Sequence, residues 1–380
     1  MSRLEESLTK RLKERELAGN IRSLNTLHGG IDFCSNDYLG LSATGLLSSL
    51  VQEAYTTTGS SGSTGSRLLS GNNELFEQLE AKIAAFHGGE AALIFNSGYE
   101  ANIGLIAAIA GRHTIILYDE LCHASIIDGI RLGICPGKYK FNHNNLSDLK
   151  EKLAQYGQAY SLIVIAESVY SMDGDFAPLA EMAELCQQYD ARLIIDEAHA
   201  TGIYGENGAG MVCALGLGGK VFARVHTFGK ALGCHGAVVV GSALLKEYLV
   251  NFARTFIYTT ALPPHSVRAI SCAYDYISSP AFSSQPLHSL IAYFRERVKE
   301  NNIAGWIDSH SPIQAFVTGG NEQCKSLALR LQQAGLQVKP ILSPTVARGM
   351  ERLRVCLHSF NTRDEVDLLA GMVREQEKYS

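Results

Sequence analysis

One lysine raises the first chemical question. Lys230 stands in HTFGKALGCHG (226–236), just past an apolar run and among glycines. An amine whose pKa is lowered by burial or by a nearby cation can condense with a carbonyl to form a Schiff base, and can then act as a base. Thr227, three residues earlier, offers a hydroxyl to a phosphate, and the glycines let backbone approach a ligand closely. Upstream, RLIIDEAHATG (192–202) ends an apolar run on Asp196, with His199 three residues on. At the end of a strand both would face one crevice, where Asp196 could hold a protonated ring nitrogen by a charge-assisted hydrogen bond. FNSGYEAN (95–102) sets Ser97, Gly98 and Tyr99 between a strand-like and a helix-like stretch, and the N–H groups that open a helix suit a phosphate. Each residue also has a plain structural reading: Lys230 as a solvated lysine, Asp196 as a turn cap, His199 as a satisfied surface histidine.

These residues need a scaffold, and the pattern from 75 to 242 supplies one. Helix-like stretches (75–86, 99–110, 146–155, 178–189) alternate with the runs AALIF (91–95), TIILY (114–118), LIVIA (162–166), RLIID (192–196), VFARVHTF (221–228) and AVVVG (237–241). Continuous apolar runs between helices predict strands buried on both faces of a parallel or mixed sheet, an α/β core flanked by helices. After about 276 the texture changes to a charged helix (287–300), a strand (313–317), a helix (321–334), a strand near 352–357 and a helix over 363–376. This predicts a smaller α+β domain. The expected division is an N-terminal segment (1–43), a large domain (44–277) and a small C-terminal domain (278–380), with SSPAFSSQP (278–286) at the last boundary. Leu4, Leu8 and Leu12 predict a short amphipathic helix that packs on something larger. GSSGSTGSRLLSG (59–71) reads by composition as a flexible linker, or else as a loop whose backbone approaches a ligand.

Other chemistries lose their usual signals. There is no G-x-x-x-x-G-K-[ST], no G-x-G-x-x-G after a strand, no H-E-x-x-H and no G-x-S-x-G. The net charge of −5, with no basic block, argues against a nucleic-acid partner. No apolar run reaches 18 residues, so no membrane span is expected, and the charged N-terminus has no apolar core of a signal peptide. The nine cysteines form no C-x-x-C pair, which predicts a reducing, cytoplasmic setting and no metal site.

T-F-G-K-A-L-G-C-H-G (227–236) resembles the lysine signature of class II aminotransferase-like enzymes that use pyridoxal 5′-phosphate (PLP), and D-E-A-H (196–199) is similar to the aspartate and histidine of the same family. SNDYLGLS (35–42), GSRLLSG (65–71), NSGY (96–99), CHAS (122–125), ESVYSMDGD (167–175), YTTALPP (258–264) and RLRV (352–355) narrow the resemblance to the α-oxoamine synthases, over nearly the whole chain. The resemblance implies PLP-dependent transferase fold type I, and a reaction that joins an amino acid to an acyl thioester, on CoA or an acyl carrier protein, with loss of CO₂. It implies that Lys230 carries PLP as an imine and then acts as base. Asp196 pairs with the pyridine nitrogen, His199 and Ser171 sit near the ring O3′, and His123 stacks on the ring. Ser97, Gly98, Tyr99 and Thr227 hold the phosphate, while Thr259 and Thr260 reach the phosphate of the other subunit of a homodimer. Asn36, Arg354 and, near the N-terminus, Arg22 are the implied substrate contacts. Cys356 stands near the substrate carboxylate, where many relatives have threonine. Within the family the chain most resembles the branch that condenses alanine with a pimeloyl thioester on the way to biotin. Branches using glycine or serine, and a plain aminotransferase, stay open.

Overall fold

The computed structural model of the chain describes residues 2–24, 26, 29–55, 61–157 and 159–377. They fall into two compact units, one made of Asn36–Ser171 with Phe176–Gln285, the other of Met1–Ser35, Met172–Asp175 and Pro286–Ser380. A helix at Arg3–Leu17 and the two-residue strand β1 (Ile31–Asp32) belong to the smaller unit. The larger unit contributes β2 (Ala91–Phe95), β3 (Thr114–Asp119), β4 (Gly137–Phe141), β5 (Ser161–Glu167), β6 (Arg192–Asp196), β7 (Ala223–Thr227) and β8 (Ala237–Gly241).

Those strands form one sheet in the order β2-β8-β7-β6-β5-β3-β4. Neighbours from β7 to β4 pair in parallel, while β8 runs antiparallel to both β7 and β2. The runs barely alternate in polarity because both faces are covered. Successive residues serve opposite faces: Ile116, Ile163 and Ile194 pack under helices Gly98–Ile109 and Ala124–Leu132, and Ile115, Val164 and Leu193 under Leu146–Tyr156 and Leu179–Gln188. Emptying one such site, as in Ile116→Ala, would cost about 2–5 kcal/mol. Strand β4 has no counterpart in the sequence expectations. Its GKYKF is buried only at its ends, and its two lysines suit an exposed sheet edge.

This topology places the chemistry. The strands β2, β3, β5, β6 and β7 point the same way, so their carboxyl ends share one sheet edge. Ser97, His123, Glu167, Asp196 with His199, and Thr227 with Lys230 follow those ends in turn.

The glycine- and serine-rich patch is not a flexible linker over the part that is described, 61–71; residues 59 and 60 lie outside the described residues. Arg67 pairs with the buried Glu80 at 2.8 Å and lies over the Phe76 ring at 4.0 Å. The Ser63 hydroxyl donates to the Leu262 carbonyl at 2.8 Å, and the Ala261 N–H to the Gly65 carbonyl at 3.0 Å. One arginine on a buried carboxylate, with backbone packed close where side chains are small, outweighs the composition.

In the smaller unit, β9 (Ile313–Val317), β11 (Lys339–Ile341) and β12 (Arg352–Cys356) form an antiparallel sheet in the order β11-β12-β9. β1 pairs in parallel with β10 (Leu336–Gln337), and the Cys356 N–H donates to the Phe33 carbonyl at 2.9 Å, which ties the N-terminal stretch to this unit. Helix Asn321–Gln333 buries Cys324, Leu327, Ala328 and Leu331. Met172–Asp175 is held here by the ion pair of Asp173 with Arg352 and by the Ser309 hydroxyl on the Gly174 carbonyl. Helix Arg3–Leu17 opens with a Ser2 capping box, and none of its residues is buried; Leu4, Leu8 and Leu12 are exposed.

Candidate active site

Lys230 lies three residues beyond β7. Its amine is 2.8 Å from His199 Nε2, and His199 Nδ1 is 2.8 Å from the Tyr38 hydroxyl. Tyr38, fully buried, donates to Asn36 Oδ1 at 3.0 Å. Four side chains from three segments thus form one hydrogen-bonded chain ending on the lysine nitrogen.

Asp196 ends β6 and is 6% exposed. Its Oδ1 accepts from the Ala198 N–H at 2.9 Å and its Oδ2 from Asn102 Nδ2 at 2.7 Å. Both carboxylate oxygens keep a lone pair for a further donor such as a pyridinium N–H. Glu167 is its cross-strand neighbour in the β5–β6 register. Burial first, and then the charge of Asp196, hold the Glu167 carboxyl well above the usual carboxylate range. Glu167 Oε1 accepts from the His123 N–H at 2.5 Å, which fixes the backbone at the start of helix Ala124–Leu132. The His123 ring is held below the ordinary histidine range, by desolvation first and by Lys230 in the same direction, with Asp196 opposing.

Groups that would suit a phosphate lie at the same edge. Helix Gly98–Ile109 is N-capped by Ser97, whose Oγ accepts from the Glu100 N–H at 3.1 Å. Gly98 must be glycine, because a Cβ there would come within 2.5 Å of Thr227 Cγ2. The Thr227 hydroxyl is buried and has no hydrogen-bond partner among the described residues. An orphaned hydroxyl against a helix N-terminus is the donor set a phosphate needs. With Lys230 for the aldehyde carbon and Asp196 for the ring nitrogen, the residues fit PLP.

The other sequence-predicted residues are placed as follows. Tyr99 is partly exposed and its hydroxyl donates to Asp128. Asn96 Nδ2 donates to Thr259 Oγ1 at 2.9 Å and to the Thr260 carbonyl at 2.8 Å. Ser171 is half-buried at the end of the segment that follows β5. Arg354, Cys356 and Arg22 belong to the smaller unit. Arg354 Nη1 is 3.0 Å from the sulfur of the buried Cys356. Arg22 donates to Thr345 Oγ1 at 3.2 Å and lines a cavity of about 540 Å³ together with Arg15, Lys325 and Lys339.

Four residues at the site were not singled out from the sequence: Tyr38, Asn102, Ser125 and Glu167. Each sits inside a motif quoted above (SNDYLGLS, FNSGYEAN, CHAS, ESVYSMDGD). The motif was the available signal: the hydroxyls and the amide do not announce chemistry by type, and Glu167 is one carboxylate among many.

The comparisons with known proteins point to one family. The family model described as aminotransferase class I and II matches residues 28–372. The 8-amino-7-oxononanoate synthase of Emericella nidulans is 39% identical, over 96% of this chain and 93% of its own length. Among solved structures, the 8-amino-7-oxononanoate synthase of Francisella tularensis superposes with a TM-score of 0.78 at 30% identity, over 92% of this chain and 98% of that one. A structure of SPT with a PLP internal aldimine gives 0.89 at 26% identity, over 100% of this chain and 99% of that one. The chain belongs to the aminotransferase class I and II family, and within it to the α-oxoamine synthases.

Proposed function

We propose that this chain catalyses the PLP-dependent decarboxylative condensation of L-alanine with a pimeloyl thioester, on CoA or an acyl carrier protein, to 8-amino-7-oxononanoate, CO₂ and the free thiol carrier, a step of biotin synthesis. The observation that carries it is the convergence, at one sheet edge, of the Lys230 amine on His199, the Asp196 carboxylate and the orphaned Thr227 hydroxyl. When bound, PLP supplies an electron-withdrawing ring that stabilises negative charge at the α-carbon of the amino acid. Thr227, Ser97 and the Gly98 and Tyr99 amides bind the phosphate. Asp196 accepts the ring N–H and keeps that proton in place. By the resemblance, His123 would cover a face of the ring, and His199 and Ser171 would lie near its oxygen. The Lys230 amine, oriented by His199 Nε2, takes the α-proton and returns one after CO₂ has left.

Asn36 and the Arg354 guanidinium are assigned to the amino-acid carboxylate, and Arg22 and Cys356 to further substrate contacts, on the resemblance of their motifs. Thr259 and Thr260 are assigned to the phosphate of a partner subunit in a homodimer. Among the described residues, no helix is long and apolar enough to cross a membrane and no cluster of His, Cys, Asp and Glu could hold a metal.

The test is a panel of alanine, glycine and serine against pimeloyl-, acetyl-, succinyl- and palmitoyl-CoA, read as thiol release. Release with alanine and pimeloyl-CoA alone supports the proposal. Turnover with glycine or serine and another thioester would move the chain to a different branch, and amino transfer to a keto acid without thiol release would make it an aminotransferase.

A further inference from the structure

Two histidines border the proposed cofactor site, and the hydrogen bonds around them set opposite tautomers. At His199, the single proton of the Tyr38 hydroxyl goes to Asn36 Oδ1. Its contact with His199 Nδ1 therefore has the ring as donor, which leaves Nε2 as the acceptor that faces Lys230. At His123 the order reverses. The Ser125 backbone N–H donates to His123 Nδ1 at 3.2 Å, so that nitrogen carries no proton. The Ser125 hydroxyl is 2.8 Å from the same nitrogen and 2.9 Å from Asn102 Nδ2. An amide NH₂ only donates, so Ser125 Oγ accepts from Asn102 and its own proton goes to His123. The second amide proton of Asn102 goes to Asp196 Oδ2 at 2.7 Å. Asn102 is 2% exposed and Ser125 fully buried, so water does not compete for these bonds.

We propose that Asn102 is a positioning residue: its two amide protons tie Asp196 to Ser125 and thereby hold His123 as the neutral Nε2–H tautomer. The consequence for the reaction rests on the function proposed above; the tautomer does not. A neutral imidazole beside the PLP ring would avoid a like-charge contact that favours loss of the proton from the ring nitrogen. It also leaves Nε2–H as the one donor of the His123 ring. An aspartate at position 102 would have the same shape and the opposite polarity.

The experiment uses protein labelled with ¹⁵N at its twelve histidines, without and with PLP, and assigns His123 by difference from His123→Gln. At neutral pH the wild-type His123 is expected to show an unprotonated Nδ1 and a protonated Nε2 in both forms. In Asn102→Asp a carboxylate replaces both donors, and His123 is expected to become imidazolium or Nδ1–H, with PLP affinity down by about tenfold or more. Asn102→Ala, which adds no charge, is expected to give mixed tautomers and a smaller loss of affinity. Should one variant fail to fold, the other and the wild-type spectrum still decide. A wild-type His123 protonated on Nδ1, or an unchanged Nε2–H pattern in the folded variants, would overturn the proposal. If the wild type does not bind PLP, the functional reading fails, while the spectra of the unloaded protein still decide the tautomer.

Discussion

Strand β7 divides two polar clusters that differ by one residue of register. Thr227 belongs to the edge where Lys230, Asp196 and the Gly98 helix start converge. His226, its neighbour, belongs to a sealed core in which its ring stacks on His87 at 3.7 Å and 23°. There His87 bonds the Ala209 carbonyl and the Tyr274 hydroxyl, each at 2.9 Å, and His226 bonds Thr201 at 2.9 Å. Both clusters contain a buried polar atom without a partner among the described residues, Thr227 Oγ1 in one and His226 Nε2 in the other. An orphaned atom alone therefore does not mark a site. Thr227 lies against a helix N-terminus, whose N–H groups suit an anion, whereas His226 is closed in beside the stacked His87 ring. Both core histidines are buried to 0% exposure, and burial pushes His87 down to about 3 and His226 well below the ordinary range.

That contrast can be broken from either side. On the site side, Lys230→Ala should cost at least about a thousandfold in kcat, measured by thiol release, with stability within about 1 kcal/mol by urea unfolding. Asp196→Asn keeps the shape and removes the charge, and should lower kcat by roughly a hundredfold. Tyr38→Phe removes one hydrogen bond behind His199, and should lower kcat by about tenfold while leaving the KM for the thioester unchanged.

On the core side the effect should appear in stability alone. The folded pKa values of His87 and His226 lie below the unfolded value of about 6.5. The unfolded chain thus binds more protons, and stability is complete above about pH 6.5 and is lost as pH falls toward 3. The slope should reach at most about 1.4 kcal/mol per pH unit for each histidine. Urea midpoints at several pH values measure it. His87→Gln should flatten the slope and leave kcat/KM within about twofold; a drop as large as that of Tyr38→Phe would erase the distinction between the clusters.

The sequence was most legible where burial is simplest. Strands β2, β6, β8 and β9 coincide residue for residue with AALIF, RLIID, AVVVG and the run at 313–317, because strands covered on both faces need continuous apolar runs. Strand β4 was not legible, since an edge strand with lysines at alternate positions carries little apolar signal. Helices Ala124–Leu132 and Ala243–Phe252 were not anticipated either, because each buries only part of one face. In the site, the charged residues stood out by type and position. The neutral groups that aim them, Tyr38, Asn102 and Ser125, become visible only when the fold joins segments 23, 94 and 161 residues apart.

Whether Lys230 carries the cofactor can be read by borohydride reduction of the PLP-loaded protein. Reduction fixes the link between amine and cofactor, and peptide mapping then locates the added pyridoxyl phosphate mass. The expected result is that mass on the peptide containing Lys230, and none on that peptide in Lys230→Ala. A reduced adduct on another lysine of the wild-type protein, with Lys230 unmodified, would contradict it.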